Sequence, residues 1–257
     1  MMEPPKGTIR DWLNKRAEDG GTGFVFPDGA PDLSWQELHG TAEAIARSLT
    51  AMGIAKGESI AILHPNGREA LECLFGVLYG GFRATMINLV AGNSAVAYAL
   101  QHSGARFAFV HDSQTGLFAQ AADLSILSPL DRQAVAGGSP AELHPLSAGD
   151  HALLMYTSGT TGQPKGCILT EAYFIEAGRW YSTATGVCAL NTDGERMITP
   201  LPIFHMNAMA YSFMAMIAFA IGLGYWLRPL VERLTERPTS FGSARWANLD
   251  DLDNQKL

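Results

Sequence analysis

The hydrophobic pattern near the start of the chain predicts an amphipathic helix. Ser34 and Glu37 have the spacing of a capping box, in which each side chain bonds to the backbone of the other residue. Apolar residues then recur every three or four positions on one helical face, namely Leu38, Ala42, Ile45, Leu49 and Met52. Gly53 is the predicted end of this helix. We expect these apolar side chains to face a core.

Strand-like and helix-like segments alternate along the next part of the chain. Residues 60–63 form a short apolar run, residues 68–79 have helical spacing, and residues 82–89 and 106–110 are again strand-like. This alternation is typical of a parallel sheet covered by helices, so the predicted fold class is α/β. From about residue 121 to 150 the pattern weakens and predicts loops and short elements.

The segment Met206–Leu227 contains no charged residue and has the length of a membrane-spanning helix. Gly222 and Gly224 interrupt it, and Asn207 and Ser212 are polar. These residues favour a buried helix, so no membrane span is expected. A membrane-anchored protein is the alternative.

The composition narrows the classes of partner and compartment. The net charge is −7 and the isoelectric point is about 5.5, so no nucleic-acid partner is expected. Cys73, Cys167 and Cys188 show neither a disulfide framework nor the spacing of metal ligands. Residues 1–10 contain no apolar run of the kind found in signal peptides. A cytoplasmic location is predicted, and no residue is nominated as a metal ligand.

A loop rich in glycine and hydroxyl groups follows the apolar run Ala152–Met155. Its sequence is Tyr156-Thr157-Ser158-Gly159-Thr160-Thr161-Gly162-Gln163-Pro164-Lys165-Gly166. Glycines let successive backbone N–H groups converge on an anion, hydroxyls add short donors, and Lys165 adds a mobile positive charge. The sequence therefore predicts a phosphate-binding loop. It is not a Walker A loop, because Pro164 and Gly166 flank Lys165 where that motif has glycine and a hydroxyl residue.

This loop resembles the signature of the adenylate-forming superfamily, which includes acyl-CoA synthetases, luciferases and the adenylation domains of peptide synthetases. Leu33–Leu38 and, more loosely, Leu78–Leu89 resemble two further core motifs of that family. The resemblance implies that the loop binds the phosphates of ATP and that Lys165 is catalytic. The implied phosphate-binding residues are Thr157, Ser158, Gly159, Thr160, Thr161, Gly162 and Lys165.

A later stretch, Pro200-Leu201-Pro202-Ile203-Phe204-His205-Met206-Asn207-Ala208, resembles the acyl-CoA synthetase form of another core motif of the family. The resemblance implies that Phe204, His205 and Asn207 bind the substrate carboxylate and that His205 is catalytic. Chemistry gives an independent reason, because an imidazole can offset the repulsion between a carboxylate and a triphosphate. A capping or core role for His205 is the alternative.

The resemblance also implies a domain organisation. Residues 1–227 would be part of the large N-terminal domain of an adenylate-forming enzyme, with mainly parallel sheets covered by helices. Family members are longer and add a glutamate that helps to hold magnesium, a ribose-binding aspartate and a small C-terminal domain, none of which is found here. Residues 228–257 are expected to be an atypical, frame-shifted or disordered tail, because residues 238–257 are polar and lack periodicity. We expect a shifted or truncated reading frame near Gly222, and a true short form whose tail contacts a partner is the alternative.

The implied reaction is the ATP-dependent activation of a small carboxylic acid to an acyl-adenylate, followed by transfer to coenzyme A, with Mg²⁺ required. Residues 88–104 resemble enzymes that act on fatty or carnitine-type acids. Because part of the machinery is missing, little or no activity is expected of this chain alone. The uncovered interface is expected to cause self-association. A nucleotide- or acyl-binding module without catalysis is the alternative.

Overall fold

The structure, a computed structural model, describes residues 7–26, 29–122, 128–157, 164–185, 196–199, 201–219 and 222–224. These residues form a six-stranded sheet and a four-stranded sheet, with helices packed against them. The tail predicted at residues 228–257 lies outside the described residues.

The elements follow the predicted alternation of strand and helix. The α-helices are α1 (Ile9–Asp19), α2 (Trp35–Ala51), α3 (Arg68–Gly80), α4 (Asn93–Ser103), α5 (Thr115–Ala122), α6 (Arg132–Ala136), α7 (Glu171–Thr183) and α8 (Met214–Phe219). A short 3₁₀ helix spans Asp112–Gln114, and a π-helix spans Asn207–Phe213. The strands are β1 (Thr22–Val25), β2 (Leu33–Ser34), β3 (Ser59–Leu63), β4 (Arg83–Met86), β5 (Phe107–Val110), β6 (Ser128–Leu130), β7 (His151–Thr157), β8 (Lys165–Thr170), β9 (Arg196–Ile198) and β10 (Gly222–Gly224).

The six-stranded sheet has the strand order β6-β5-β3-β4-β7-β8. Its first five strands are parallel, and β8 runs antiparallel to β7. This arrangement confirms the predicted α/β class with a mainly parallel sheet. Because the five strands point the same way, their carboxyl ends lie at one edge of the sheet, and the loops that follow them are displayed there.

The four-stranded sheet has the order β2-β1-β10-β9. Phe24 of β1 pairs in parallel with Leu223 of β10, and β10 pairs in parallel with β9. Strand β1 and a strand near the end of the long apolar segment therefore share one sheet. Phe24 is fully buried, and its ring meets that of Phe213 at a centroid distance of 5.6 Å.

Helix α2 confirms the predicted capping box and most of the predicted face. Glu37 N–H donates to Ser34 Oγ at 3.2 Å, and Ser34 N–H donates to Glu37 Oε2 at 2.9 Å. The apolar face predicted from residue 38 to residue 49 is buried and packs against α3. Met52 is 47% exposed, so its predicted burial is wrong. The helix ends at Ala51, and the chain leaves the helical face at Met52.

The apolar segment after His205 folds as a buried helix over its first half. The π-helix and α8 follow each other without a break, and both pack against α7. Met209, Phe213 and Met216 are almost fully buried in the main core. Packing inside the protein therefore accounts for the run of apolar residues. None of the described helices is both long enough and apolar enough to cross a membrane.

Candidate functional site

The predicted phosphate loop begins and ends on two paired strands. Thr157 is the last residue of β7, Lys165 is the first residue of β8, and the two are partners in the antiparallel register. The Cα atoms of such partners lie about 5 Å apart, so the loop leaves and returns at one place. Both side chains are exposed. The other predicted phosphate-binding residues, Ser158, Gly159, Thr160, Thr161 and Gly162, lie outside the described residues.

Close contacts stabilise the base of this hairpin. The Tyr156 hydroxyl and His102 Nδ1 form a hydrogen bond of 3.0 Å, and burial raises the pKa of Tyr156 to about 12. A Cβ atom at Gly166 would lie 3.1 Å from Leu154 Cδ1 and 3.4 Å from His102 Cε1. Glycine at position 166 therefore lets the strand that carries Lys165 lie close against its neighbours.

The segment that carries His205 is a turn leading into the π-helix. His205 N–H donates to the Pro202 carbonyl at 2.9 Å, and the His205 carbonyl accepts from Met209 N–H at 3.2 Å. The Phe204 and His205 rings lie 4.8 Å apart between centroids, with Phe204 partly buried and His205 exposed. His205 is therefore not a core histidine. Asn207, the first residue of the π-helix, is also exposed.

One side chain from a distant loop holds this turn. Asn66 Oδ1 accepts from Ile203 N–H at 2.8 Å, and Asn66 Nδ2 donates to the Leu201 carbonyl at 3.2 Å. The sequence shows that Asn66 belongs to a turn after a strand, but it does not show partners more than 130 residues away. Asn66 is thus a residue of the candidate site that sequence reasoning missed.

The two predicted motifs emerge at the same edge of the six-stranded sheet. Asn66 lies in the loop after β3, and Thr157 begins the loop after β7; both strands are parallel to β4, which lies between them. With strands about 4.8 Å apart, the carboxyl ends of β3 and β7 are about 10 Å apart. The structure therefore holds the His205 segment at the edge that displays the predicted phosphate loop.

A cavity of about 520 Å³ opens beside Asn207, between α7 and the π-helix. Its lining consists of Tyr173, Glu176, Ala177, Trp180, Asn207 and Tyr211. The Tyr173 and Tyr211 hydroxyls lie 3.3 Å apart, and this hydrogen bond, followed by burial, raises the pKa of Tyr173 to about 12. Lys165, Phe204 and His205 do not line this cavity. Because α7 follows β8 directly, one wall of the cavity continues the strand that begins at Lys165.

Five cavity residues were missed by sequence reasoning: Tyr173, Glu176, Ala177, Trp180 and Tyr211. Their spacing carries a signal, because residues three, four or seven positions apart share one face of a helix. The first four share a face of α7, and Tyr211 follows Asn207 by one turn. The sequence predicts a buried helix after His205, but it does not reveal that this helix meets α7.

A second concave region, of about 350 Å³, lies at the carboxyl ends of β3, β5 and β6. The connection from β3 leads towards β4 and that from β5 leads towards β6, so this crevice is a topological switch point. His64 and His111, the first residues after β3 and β5, line it with ring centroids 5.4 Å apart. His64 is 4% exposed, and burial lowers its pKa to about 4.

The described residues also bear on the expected magnesium. In the ranges that the structure describes, no three His, Cys, Asp or Glu side chains are grouped as they would be to hold a metal ion. Because Mg²⁺ in nucleotide sites is commonly held by one or two carboxylates together with the phosphates, this finding concerns only a site built from protein ligands alone.

The comparison with protein families tests the resemblance directly. The family described as AMP-binding enzyme matches residues 14–236. The chain belongs to this family. The predicted phosphate loop, the His205 segment and the helices around the cavity all lie within the matched residues.

Curated relatives of this chain include acyl-CoA ligases. The sulfoacetate–CoA ligase of Cupriavidus necator is 28% identical over 205 residues, which are 75% of this chain and 39% of that protein. The feruloyl-CoA synthase of an Amycolatopsis species is 30% identical over 203 residues, which are 78% of this chain and 40% of that protein. The chain thus spans about two fifths of the length of these relatives.

Solved structures agree on the fold. The N-terminal domain of FACL13 from Mycobacterium tuberculosis superposes with a TM-score of 0.72 at 25% identity, over 86% of this chain and 57% of that chain. The o-succinylbenzoate CoA synthetase of Bacillus subtilis superposes with a TM-score of 0.73 at 20% identity, over 93% of this chain and 48% of that chain. These neighbours confirm the predicted fold, that of part of the N-terminal domain of an adenylate-forming enzyme.

Proposed function

We propose that this chain is the ATP- and acid-binding part of an acyl-CoA ligase. In that reaction a carboxylate oxygen attacks the α-phosphorus of ATP and releases pyrophosphate, and the sulfur of coenzyme A then forms a thioester and releases AMP. The observation that carries the proposal is the shared sheet edge: the loop between Thr157 and Lys165 follows β7, and the residue that anchors the His205 segment follows β3, about two strand spacings away. The acyl-CoA ligases among the curated relatives support the same class.

The loop would bind the triphosphate through backbone N–H groups and short hydroxyl donors. Thr157 would contribute from the end of β7, and Ser158, Gly159, Thr160, Thr161 and Gly162 would complete the cradle. Lys165 is exposed at the start of β8, so its ammonium group is free to reach an anion beside the loop. Its positive charge would favour the transition state, in which charge develops on the phosphates.

The carboxylate would bind beside His205. Its exposed imidazole would offset the repulsion between the carboxylate and ATP, and Phe204 would limit the directions from which the acid approaches. Asn207 would bind the acid from the rim of the cavity. The cavity itself would receive the acyl part, and its tyrosine and tryptophan walls suit an acid with an apolar or planar body.

The remaining expectations complete this proposal. Mg²⁺ would arrive bound to ATP. Residues 1–227 would be part of the adenylation domain, and the family motifs not found here would have to be supplied from outside these residues. Little activity is expected of the 257 residues alone. Fatty or carnitine-type acids as substrates, self-association and a cytoplasmic location stay predictions of the sequence.

The test is MgATP binding by the 257-residue chain, measured by isothermal titration calorimetry. Lys165→Met should weaken binding at least about tenfold, or about 1.4 kcal/mol, because it removes a charge beside the triphosphate. Lys15→Met is the matched control, since Lys15 is an exposed residue of α1 whose ion pairs are with its own helix.

Equal affinities for the wild type and Lys165→Met, or no MgATP binding by the wild type, would overturn the proposal. ATP–pyrophosphate exchange with a panel of carboxylic acids then separates two outcomes. Binding that is accompanied by acid-dependent exchange supports a ligase. MgATP binding without any exchange, in a form that also carries the family motifs not found here, would support a module that only binds nucleotide.

A further inference from the structure

The side chain of Asn66 satisfies two backbone groups that flank Pro202. Its oxygen accepts from Ile203 N–H at 2.8 Å, and its amide nitrogen donates to the Leu201 carbonyl at 3.2 Å. A flipped amide would set donor against donor and acceptor against acceptor, so the two partners fix one orientation. Aspartate, serine and alanine cannot make both bonds in the same way, and the pair therefore requires a carboxamide at position 66.

The turn that Asn66 binds has little regular structure of its own. Pro202 has no N–H group, and Leu201–His205 lie in neither a strand nor an α-helix. The bond from His205 N–H to the Pro202 carbonyl closes the turn locally but does not attach it to the sheet. Ile203, at 1% exposure, is inserted in the core directly before Phe204 and His205. Asn66 therefore supplies the polar attachment at the point where the chain leaves the core for the site.

Asn66 itself stands on a rigid base. It lies between β3, whose residues are all buried, and α3, which is buried along most of its length. Gly67, with a φ of 157°, forms the N-cap of α3, and its carbonyl accepts from Leu71 N–H at 3.3 Å. The connection that carries Asn66 is only four residues long, from residue 64 to residue 67, so both of its ends are held by packed elements. Through Asn66, the turn at Leu201–Ile203 is thus attached to the most deeply packed part of the sheet.

We infer that Asn66 is a positioning residue that sets the place of His205 by clamping Leu201 and Ile203. This inference rests on the proposed function, in which His205 contacts the substrate carboxylate. Asn66 does not touch substrate; it fixes the backbone two residues before His205. Loss of the clamp would leave the imidazole present but free to sample other places relative to the phosphate loop, and proximity catalysis depends on such placement.

The test is the histidine side-chain NMR spectrum of the 257-residue chain, without ATP or acid. The Cε1–H signal of His205, assigned by its loss in His205→Gln, senses the ring current of Phe204, whose ring centroid is 4.8 Å away. In Asn66→Ala this signal should move or broaden towards that of an unstructured histidine. Asn66→Asp keeps an acceptor for Ile203 N–H but sets a carboxylate against the Leu201 carbonyl, so the signal should change there too.

Asn14→Ala is the matched control. Asn14 Oδ1 accepts from Tyr79 OH at 2.8 Å and lies 3.0 Å from His39 Nε2, so this variant also removes two side-chain contacts. It should change the signal of His39 and leave that of His205 in place. An unchanged His205 signal in the Asn66 variants, or an equal change in Asn14→Ala, would overturn the inference. If Asn66→Ala does not fold, Asn66→Asp decides by the same criterion.

The outcome is separable from that of the proposed function. A moved His205 signal combined with no MgATP binding would leave the clamp standing and remove its catalytic purpose. MgATP binding that Lys165→Met weakens, combined with an unmoved His205 signal, would support the proposed function and overturn the role of Asn66.

Discussion

The cavity beside Asn207 and the crevice beside His64 differ in what their polar groups already contact. In the crevice, Arg132 forms ion pairs of 2.7 Å with both Glu69 and Glu72, and Asp131 caps α6 through Gln133 N–H at 3.0 Å. In the cavity, the amide of Asn207 is exposed at the rim, and Trp180 is 52% exposed. Arg132, Glu69 and Asp131 of the crevice are thus bonded within the chain, whereas Asn207 and Trp180 of the cavity expose part of their surface to solvent.

This difference teaches that topology and concavity do not identify the site by themselves. The rule that ligands bind where strand connections diverge points to the crevice. The exposed Asn207 at the cavity rim, together with the family motifs, points to the cavity and the neighbouring loop. His64 illustrates this point, because it lies at the topological switch point although burial lowers its pKa to about 4 and so favours a neutral ring.

The largest expected change in stability on the cavity side comes from a buried acid at the start of α7. Glu171 is 2% exposed and accepts from Ile9 N–H at 2.8 Å, and burial raises its pKa from 4.5 to about 7. The folded state therefore favours the protonated acid, so the wild type loses stability as the pH rises from about 4.5 to 7. The shift corresponds to about 3 kcal/mol. Glu171→Gln should be more stable than the wild type at pH 8 and about equal to it near pH 4, as measured by urea unfolding.

Glu176→Gln is the control, because Glu176 is an exposed residue of the same helix. A Glu171→Gln variant whose advantage over the wild type does not grow between pH 4 and pH 8 would show that Glu171 is ionised in the fold.

The crevice should respond to pH in the opposite sense. Burial, then His111 and Arg132, lower the pKa of His64 from 6.5 to about 4. As the pH falls, His64 takes up a proton in the unfolded chain before it does so in the folded chain. The stability present above pH 6.5 is therefore lost as the pH falls towards 4. The loss is again about 3 kcal/mol at most. His64→Phe should remove this part of the acid loss in urea unfolding, whereas His151→Gln, at the exposed start of β7, should not.

The two effects share one pH window and oppose each other. We therefore expect the wild type to show a shallower pH dependence between 4.5 and 6.5 than either variant. A histidine NMR signal for His64 that titrates near pH 6.5 would contradict the assignment of a neutral ring in the crevice.

Features set by neighbouring residues were predicted well. The capping box of Ser34 and Glu37, the apolar face of α2 and the strand before the phosphate loop are local patterns, and the structure confirms them. The resemblance of the loop and of the His205 segment placed both motifs in the right family, because those motifs are long and specific.

Features that join distant segments could not be predicted. The bonds of Asn66 to Leu201 and Ile203, and the bond of Tyr173 to Tyr211, depend on which loops and helices the fold brings together. Ile168 is 45% exposed although it follows the loop as an apolar residue, because β8 is an edge strand with one open face. Hydrophobic periodicity shows which residues of a helix or strand share a face, but it does not show which other element packs against that face.

The smallest effects come from one substitution made at two glycines. A Cβ atom at Gly178 of α7 would lie 2.6 Å from Trp12 Cζ3 and 3.0 Å from the Met214 carbonyl oxygen, and Trp12 is fully buried. Gly178→Ala should therefore destabilise the protein by about 1–3 kcal/mol through overpacking. At Gly40 of α2 no atom lies within 4 Å of the added Cβ, so Gly40→Ala should stabilise it by up to about 1 kcal/mol. Urea midpoints measure both.

This pair also asks whether the two concave regions are mechanically separate. Gly178 lies next to Ala177, which lines the cavity, so a displacement of α7 moves a cavity wall. Helix α7 contributes no residue to the crevice lining. We therefore expect Gly178→Ala to change the spectra of Tyr173 and Trp180 and to leave the NMR signal of His64 unchanged. If the His64 signal moves together with the spectra of Tyr173 and Trp180, the cavity and the crevice respond as one packed unit. The difference in the exposure of their polar groups would then not be enough to assign them separate roles.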